Sequence, residues 1–542
     1  MKKTHLDIME KALSAYTDER IRDYINEVKR DGLTEHGFPR LAANIGILMF
    51  YGRRMDLKDI FIEIMDLCCE QMPKKKAAND FSIREVCCCL MLLEGKGIVE
   101  EALIQKWKGQ ISTFDPWKYY DRVDDKSGKK VANWALFAAV SEFVRGKYCE
   151  IDTSEFVDWQ LPSQIRNLDS LDMYQDGDMY GDPKRNPIVY DLVPRLLFAF
   201  LLRFGYEGKY RERLEQVLDN TVDITLKMQS VTGEVPFGGR SNQFLLNEAL
   251  LCSYFELEAI RFKERGDLTK AGELKAAAGL CEKNILYYLS FEPIHHIKNR
   301  YDLATTIGCE FYGYFNKYMI TLASNLYMGA LFADETITEG VLLNKTAPYI
   351  FCTTDSFSKV FLYAGGYFLE FDMDANVHYD ANGLGRLQKA GCCPVICLAV
   401  PFPGGENVHY KTEIPNAQPM ALGCDGGASV PYTLQQSKIE GDTIRAVFTC
   451  EKGSEEYTVS PQGVEIVFGQ KGFMLPVFEF DGEKETEIFE EEHAIRIVYQ
   501  KSECIYTFNG NAENYQLYAN RNGRYRVYRI NADQLKVEIS AR

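Results

Sequence analysis

The chain has 542 residues, 46% of them hydrophobic and 26% charged, a composition typical of a folded protein with a buried core. Its formal net charge is −16, from 62 Lys and Arg against 78 Asp and Glu; this argues against nucleic acid or an anionic membrane as partner, because both require clustered cations. At roughly 100–200 residues per domain, the length allows more than one domain.

No stretch of about 18 uncharged apolar residues occurs, so we expect no transmembrane helix. The first residues, MKKTHLDIMEKALSAY, lack the apolar segment of a signal peptide because charged residues interrupt it. We therefore expect a cytoplasmic protein in which most of the 16 Cys stay reduced and buried.

From Leu6 to about Asp334, apolar residues recur at helical spacing. This periodicity predicts about a dozen helices, near residues 5–29, 36–52, 57–72, 80–94, 97–109, 131–145, 153–168, 188–205, 208–229, 241–264, 268–291 and 308–334. The mostly short connections between them are typical of antiparallel helical hairpins.

After about Asn344 the apolar pattern changes to period two, which predicts strands. Two such runs flank Gly365-Gly366 and predict a hairpin with a tight turn. About six helical hairpins followed by antiparallel strands predict an (α/α)6 toroid in residues 1–340, followed by an antiparallel β-sandwich in residues 341–542.

The segment TGEVPFGGRSNQFLLNEA, residues 232–249, is the first candidate for chemistry. Its Pro and Gly residues end one helix, and Arg240 to Gln243 are predicted to open the next, where unpaired N–H groups carry positive potential. The Arg240 guanidinium suits a carboxylate, with Asn242 and Gln243 as further contacts to an acidic sugar. Glu248, about two turns into this helix, is a candidate catalytic carboxylate.

A second candidate is the long loop at about 167–187, which gathers several Asp and Tyr residues. Asp182 in this loop is a candidate acid or base. A Ca²⁺ site built from oxygen ligands and a solvated acidic turn remain open alternatives, although the spacing is not that of an EF-hand.

Two further segments carry candidate residues. GCEFYGYFNKYM, residues 308–319, offers Glu310 and Tyr314 for catalysis and Tyr312 and Lys317 for sugar binding, since Tyr rings stack on sugars. The polar segment around HYDANGLGR, residues 378–386, adds His378 as a candidate base and Tyr379 and Arg386 as substrate contacts, in a loop expected to close the toroid mouth. His36, in TEHGFPR, is a candidate substrate contact at an early helix start.

The domain order, with the motifs FGGRSNQF, GCEFYGYFNKYM and HYDANGLGR, resembles the heparinase II/III-like architecture of polysaccharide lyases and some glycoside hydrolases. It is similar in particular to the β-glucuronidases of glycoside hydrolase family 154, with rhamnose–glucuronate lyases as close rivals. This resemblance implies an enzyme that removes terminal glucuronic acid from oligosaccharides, so a uronic-acid-containing oligosaccharide is the expected partner.

The chemistry separates three hypotheses. Hydrolysis needs two carboxyl groups, for which Glu248, Asp182 and Glu310 are the candidates. Elimination at a uronic acid instead needs a Tyr or His base and a group that neutralises the enolate, which favours Tyr314, His378 and Asn242. A non-catalytic glycan-binding protein is the third hypothesis. We expect no cofactor and assign no metal ligand, with metal dependence left open, and a homodimer through the β domain is compatible with its size.

Overall fold

The computed structural model describes residues 2–126, 133–170, 189–239, 241–305, 307–310, 312–353, 357–402, 419–424 and 427–542, with only the backbone of 163–170. In this part of the chain there are fourteen α-helices: α1 Lys2–Ser14, α2 Asp18–Asp31, α3 Gly37–Phe50, α4 Lys58–Gln71, α5 Ile83–Leu93, α6 Glu101–Ser112, α7 Pro116–Tyr119, α8 Trp134–Cys149, α9 Ser154–Ser170, α10 Val189–Arg203, α11 Arg211–Met228, α12 Leu246–Glu264, α13 Leu268–Leu289 and α14 Phe315–Phe332.

Six of these helices form a closed inner ring. Each of α3, α5, α8, α10, α12 and α14 packs against the next, and α14 packs back against α3. Helices α1, α4, α6, α9, α11 and α13 lie outside this ring and alternate with the inner helices along the chain. The inner helices therefore run in one direction, because an outer helix returns the chain each time. This arrangement confirms the predicted (α/α)6 toroid.

Several predicted helix limits are wrong, among them the start at residue 308 of the helix that begins at Phe315, and local chemistry explains two of them. The helix predicted over 5–29 divides at Thr17, whose hydroxyl caps α2 by accepting from the Arg20 N–H at 3.2 Å. The helix predicted to open at residues 240–243 begins only at Leu246. Ser241 has a left-handed φ of 61°, and Phe244 forms an isolated β-bridge with Ile297, so neither residue starts a helix.

The second half of the described residues is antiparallel β-structure. Its sixteen strands are β1 Tyr349–Cys352, β2 Lys359–Ala364, β3 Tyr367–Asp372, β4 Gly383–Lys389, β5 Gly423–Cys424, β6 Thr433–Glu440, β7 Thr443–Cys450, β8 Gly453–Ser460, β9 Gly463–Phe468, β10 Phe473–Phe480, β11 Glu487–Glu491, β12 Ala494–Tyr499, β13 Ser502–Phe508, β14 Asn511–Ala519, β15 Arg524–Asn531 and β16 Gln534–Ala541. The predicted hairpin is confirmed, since Ala364 pairs with Tyr367 across Gly365-Gly366.

These strands form three sheets that share one apolar core. The first has the order β1-β2-β3-β4, the second β14-β15-β10-β5, and the third, with eight strands, β11-β12-β13-β16-β9-β8-β7-β6. The first sheet contacts the third through β2 with β7 and β8, and through β4 with β16. The structure thus confirms the order of a helical toroid followed by antiparallel sheets.

Helix α14 ends at Phe332 and β1 begins at Tyr349, and the division predicted between residues 340 and 341 stays a prediction, as does the homodimer. None of the 16 Cys, all of them within the described residues, forms a disulfide. Among the helices of the described ranges, none combines the length and the apolar character needed to span a bilayer.

Candidate active site

A cleft of about 540 Å³ opens at the mouth of the toroid. Residues in the first two turns of all six inner helices, or just before them, line it: His36 and Arg40 for α3, Phe81 for α5, Trp134 and Phe137 for α8, Tyr190 and Val193 for α10, Ser241, Phe244 and Asn247 for α12, and Tyr312, Lys317, Tyr318 and Thr321 for α14. The N-terminal end of a helix carries partial positive charge. Six such ends around one cleft favour an anionic ligand.

Cationic side chains strengthen this preference. Arg40 is buried and bound to Glu85 at 3.0 Å and to the Thr321 hydroxyl at 2.8 Å. Arg122 lies over the Trp134 ring, 4.7 Å from its centroid, and Lys317 also lines the cleft. A carboxylate of a bound sugar would therefore meet guanidinium and ammonium groups in a partly desolvated space, where such contacts are strong.

His36 is neutral in this setting. Burial, together with the charges of Arg40 and Lys317, lowers the pKa of His36 well below its ordinary value. Its Nδ1 lies 3.1 Å from Nη1 of Arg40, and a guanidinium can only donate, so Nδ1 accepts and the ring proton belongs on Nε2. His36 is thus a hydrogen-bond donor through Nε2, which fits its predicted role in substrate binding.

Three hydroxyl groups form a chain on the cleft wall. The Tyr190 and Ser241 hydroxyl oxygens are 3.4 Å apart, and the Ser241 and Tyr312 hydroxyl oxygens are 2.6 Å apart. Burial, and then the nearby Glu310 carboxylate, raises the pKa of Tyr312, so this phenol stays protonated at neutral pH. The chain therefore joins a proton donor to a second phenol through a serine.

Glu310 lies behind this chain and is buried. Its Oε1 accepts a 2.6 Å hydrogen bond from the Ser241 N–H and lies 3.7 Å from the Arg521 guanidinium. Its Oε2 is buried and has no hydrogen-bond partner among the residues that the structure describes. Glu310 thus fixes the backbone that presents the Ser241 hydroxyl.

Two carboxylates, Glu35 and Asp121, appear among the described residues of the cleft lining, and both bind backbone. Glu35 accepts from the Gly37 N–H at 2.5 Å and from the Phe38 N–H at 3.3 Å. Asp121 accepts from the Ala78 N–H at 2.8 Å. Their oxygens thus stabilise the first turn of α3 and a neighbouring loop.

The strap, residues 234–239, leads to Ser241 and is clasped by side chains of the β domain. Glu370 accepts from the Phe237 N–H at 3.3 Å, and Asp380 accepts from the Gly239 N–H at 2.6 Å. Arg386 donates to the Val235 carbonyl at 2.9 Å, and Arg521 donates to the Gly239 carbonyl at 2.8 Å. The β domain therefore sets the path of the segment that enters the cleft.

Several predicted site residues lie outside the cleft lining. Glu248 is fully buried, 2.6 Å from the Lys298 ammonium, and accepts from the Val235 N–H at 3.1 Å. Burial raises the pKa of Glu248, while Lys298 opposes this shift. The Asn242 amide donates to the Pro236 carbonyl at 2.9 Å, and the Gln243 amide donates to the Arg521 carbonyl at 3.3 Å. These three side chains thus bind protein groups in and around the strap and do not line the cleft.

The remaining predicted residues divide into three groups. Arg386 is not in a loop as predicted but in β4, where it is buried and 2.8 Å from Glu370. Tyr314 and His378 are exposed, and Tyr379 is half-buried; none of the three is among the described residues that line the cleft. Asp182 and Arg240 lie outside the described residues, so their roles stay predictions.

Tyr190, Ser241, Arg40 and Arg122 line the cleft but were not predicted from the sequence. The one available signal was Ser241, which follows Gly238-Gly239 and Arg240 and was interpreted as part of a helix start. Tyr190 and Arg40 lie inside helices that are mostly buried, and they carry no local signal in the sequence.

Comparison with known proteins adds similarity in fold. No protein family matches the sequence, and no curated protein does. Among solved structures, the chain is similar to a heparinase III, with 11% identity over 93% of this chain and 78% of that chain and a TM-score of 0.44. It is also similar to a chondroitinase AC lyase solved with oligosaccharides, with 10% identity over 99% of this chain and 83% of that chain and a TM-score of 0.41.

These two structures match the heparinase-like resemblance predicted from the sequence, while the resemblance to family 154 glucuronidases stays a prediction. At one identical residue in about ten we take no conclusion about activity from them. The chemistry has to be argued from the cleft itself.

Proposed function

We propose that the protein is a carbohydrate-active enzyme that cleaves uronic-acid-containing oligosaccharides by β-elimination. The observation that carries this proposal is the hydroxyl chain of Tyr190, Ser241 and Tyr312, which lies in the same cleft as the neutral His36 and the cations Arg40 and Lys317. Elimination needs these groups, whereas hydrolysis needs two carboxyl groups directed at the substrate. The described acids of the cleft lining bind backbone instead.

The proposed reaction breaks the C5–H and C4–O bonds of the uronic acid and forms a C4–C5 double bond and a new O–H bond. The Tyr190 oxygen, as phenolate, takes the proton from C5 of the uronic acid; the electron pair forms the C4–C5 double bond as the C4–O bond breaks. Tyr312 gives its proton to the departing oxygen, and Ser241 returns the proton from Tyr190 to Tyr312. No water is consumed, and the products are an unsaturated uronate and a new hydroxyl end.

The substrate carboxylate would be held at the cationic side of the cleft. As the C5 proton leaves, charge grows on the carboxylate oxygens, and preorganised donors stabilise this charge best. The His36 Nε2–H, the Arg40 guanidinium and the Lys317 ammonium are the donors in this role. The helix N-termini favour the Tyr190 phenolate in the same way, since Tyr190 lies in the first turn of α10.

The test uses a 4-linked oligouronate and follows the ultraviolet absorbance of the unsaturated product. Tyr312→Phe removes the proton donor and is expected to lower kcat by about 10²- to 10⁴-fold, the usual contribution of general acid–base catalysis. Tyr314→Phe is the matched control, because Tyr314 is 60% exposed and two residues away. Equal activity of these two variants would show that the hydroxyl chain has no role in the reaction.

A β-glucuronidase is the second candidate, and Glu310 favours it. Its buried Oε2 has no partner among the described residues, and its Oε1 accepts from the N–H of Ser241, a residue of the cleft lining. A carboxyl group in such a setting suits a general acid. Release of the aglycone from a chromogenic β-glucuronide, without ultraviolet absorbance and lost in Glu310→Gln, would select hydrolysis over elimination.

A further inference from the structure

A second cavity lies on the outside of the toroid, where α13 meets the β domain. This groove has a volume of about 790 Å³. It is lined by α13 through Lys283 and Asn284, by the segment after β4, by the turn between β12 and β13 through Lys501, and by Arg542 beyond β16. It is separate in its lining residues from the cleft at the toroid mouth.

The charge of this groove is opposite to that of the protein. Lys283, Lys501 and Arg542 line it, and no Asp or Glu is among its described lining residues. The whole chain has a formal net charge of −16, so three cations around one groove form a local exception. An anionic ligand in the groove would be attracted by all three cations.

The floor of the groove is polar as well. Asn284 is 97% buried and donates from Nδ2 to the Thr232 carbonyl at 2.9 Å, while its Oδ1 has no hydrogen-bond partner in the described parts of the chain. The Thr232 and Tyr287 side chains, each with a hydroxyl, also line the groove. The Asn284 Oδ1 atom is closed off from the groove, so the polar groups offered to a sugar are these two hydroxyls, which can exchange hydrogen bonds with sugar hydroxyls.

From these features we propose that the groove binds an anionic oligosaccharide as a second, non-catalytic glycan site. Its volume is within the range of about 300–1,000 Å³ common for ligand sites and exceeds the needs of a single small anion. The three cations come from three different elements, which suits charges spaced along a chain of sugars. That these sugars are uronic acids rests on the proposed function.

The strap connects the two sites. Thr232 in the groove precedes the strap by two residues, and Ser241 in the cleft follows it. A glycan held in the groove therefore stays close to the protein between cleavage events. This raises the effective concentration of chain ends for the cleft, as linked binding sites generally do.

The experiment measures binding of a hexameric oligouronate by calorimetry to the Tyr312→Phe protein, which is expected to cleave the ligand about 10²- to 10⁴-fold more slowly, and ultraviolet absorbance checks that the ligand stays intact. In this background, Lys283→Glu with Lys501→Glu replaces two attractions by two repulsions and is expected to weaken the groove's binding event at least about tenfold. The control is Lys96→Glu with Lys471→Glu, which changes net charge equally at two exposed lysines elsewhere. Binding at the groove should also weaken with added salt and be absent for neutral maltohexaose.

The proposal is overturned if the groove variant binds as the control does, or if Lys317→Met in the cleft abolishes all binding. Circular dichroism of each variant checks that the fold is kept. Elimination by the intact protein is measured separately. Groove binding without elimination would refute the proposed function and keep the groove site. Elimination by the intact protein, with unchanged binding in the groove variant, would refute the groove site and keep the proposed function.

Discussion

Lys298→Met is the substitution that most directly tests how the strap is anchored. The Lys298 ammonium lies 2.6 Å from Glu248 and 3.4 Å from Glu234, and all three side chains are buried. Glu248 in turn accepts from the Val235 N–H at the start of the strap. Met keeps much of the volume of Lys but removes the charge that both carboxylates share.

The expected cost is large because two charges lose their partner at once. Removing one partner of a buried ion pair costs about 3–5 kcal/mol of unfolding free energy. Protonation of Glu248 would reduce this cost. Burial raises the pKa of Glu248, and without Lys298 this shift increases. Burial also acts to raise the pKa of Glu234, which Lys298 and Arg386 hold below its ordinary value.

The sign of the pH dependence follows from these shifts. A carboxyl group with a raised pKa in the folded state favours folding below its ordinary pKa, and this stability is lost as pH rises through the raised value. Glu234 contributes in the opposite sense, above its ordinary pKa, and this contribution becomes smaller when Lys298, the largest of the groups that lower its pKa, is removed. The variant should therefore be nearest to the wild type in acid and fall behind as the solution becomes neutral.

Unfolding by guanidinium at neutral pH and at about pH 5 measures the loss of stability and its pH dependence. Adding Glu248→Gln to Lys298→Met should recover part of the loss, because one of the two stranded charges is removed. A loss below about 1 kcal/mol at neutral pH, or an equal loss at both pH values, would refute the assigned network.

Three further predictions concern the cleft and the domain interface. His36→Ala should raise KM for the oligouronate more than His36→Asn does, since Asn keeps an N–H donor; steady-state kinetics compare the two, and equal KM values would contradict the donor role. Burial raises the pKa of Asp80 from 3.8 to about 7, so its share of stability is present in acid and lost as pH rises to about 7. With Asp80→Asn, the free energy of unfolding, measured at a series of pH values, should fall less steeply as pH rises. An unchanged slope would argue against this role of Asp80. Gly385→Ala would place its Cβ 2.5 Å from the Phe237 ring and should cost about 1–3 kcal/mol in thermal unfolding, whereas Gly109→Ala, with open space around it, should not destabilise.

The toroid was predictable because its signals are local. Each amphipathic helix shows its apolar period within its own residues, and short connections allow only antiparallel neighbours. The predicted start of α12 was wrong because one residue has an unusual backbone conformation. Ser241 adopts a left-handed φ of 61°, and α12 starts only at Leu246. The spacing of apolar residues does not reveal a backbone angle.

The site was predictable only in part, because its residues come from helices far apart in sequence. His36, Tyr312 and Lys317 were predicted, since each lies at a helix start with a polar or aromatic neighbourhood. Glu248 shows the limit of this reasoning. A carboxylate in an apolar helix suggests chemistry, but its partner Lys298 lies 50 residues further along the chain and makes it an internal ion pair.

The contacts of the strap explain why both domains are needed for one site. Glu370, Asp380, Arg386 and Arg521 all bind main-chain atoms of the strap rather than its side chains. A left-handed conformation costs a residue such as Ser241 about 1–2 kcal/mol, so it persists only where surrounding contacts oppose relaxation. Those contacts come from the β domain on the strap and from Glu310 on the Ser241 N–H. The hydroxyl that joins Tyr190 to Tyr312 is therefore positioned by Glu310 within the toroid and, through the strap, by charged side chains of the β domain.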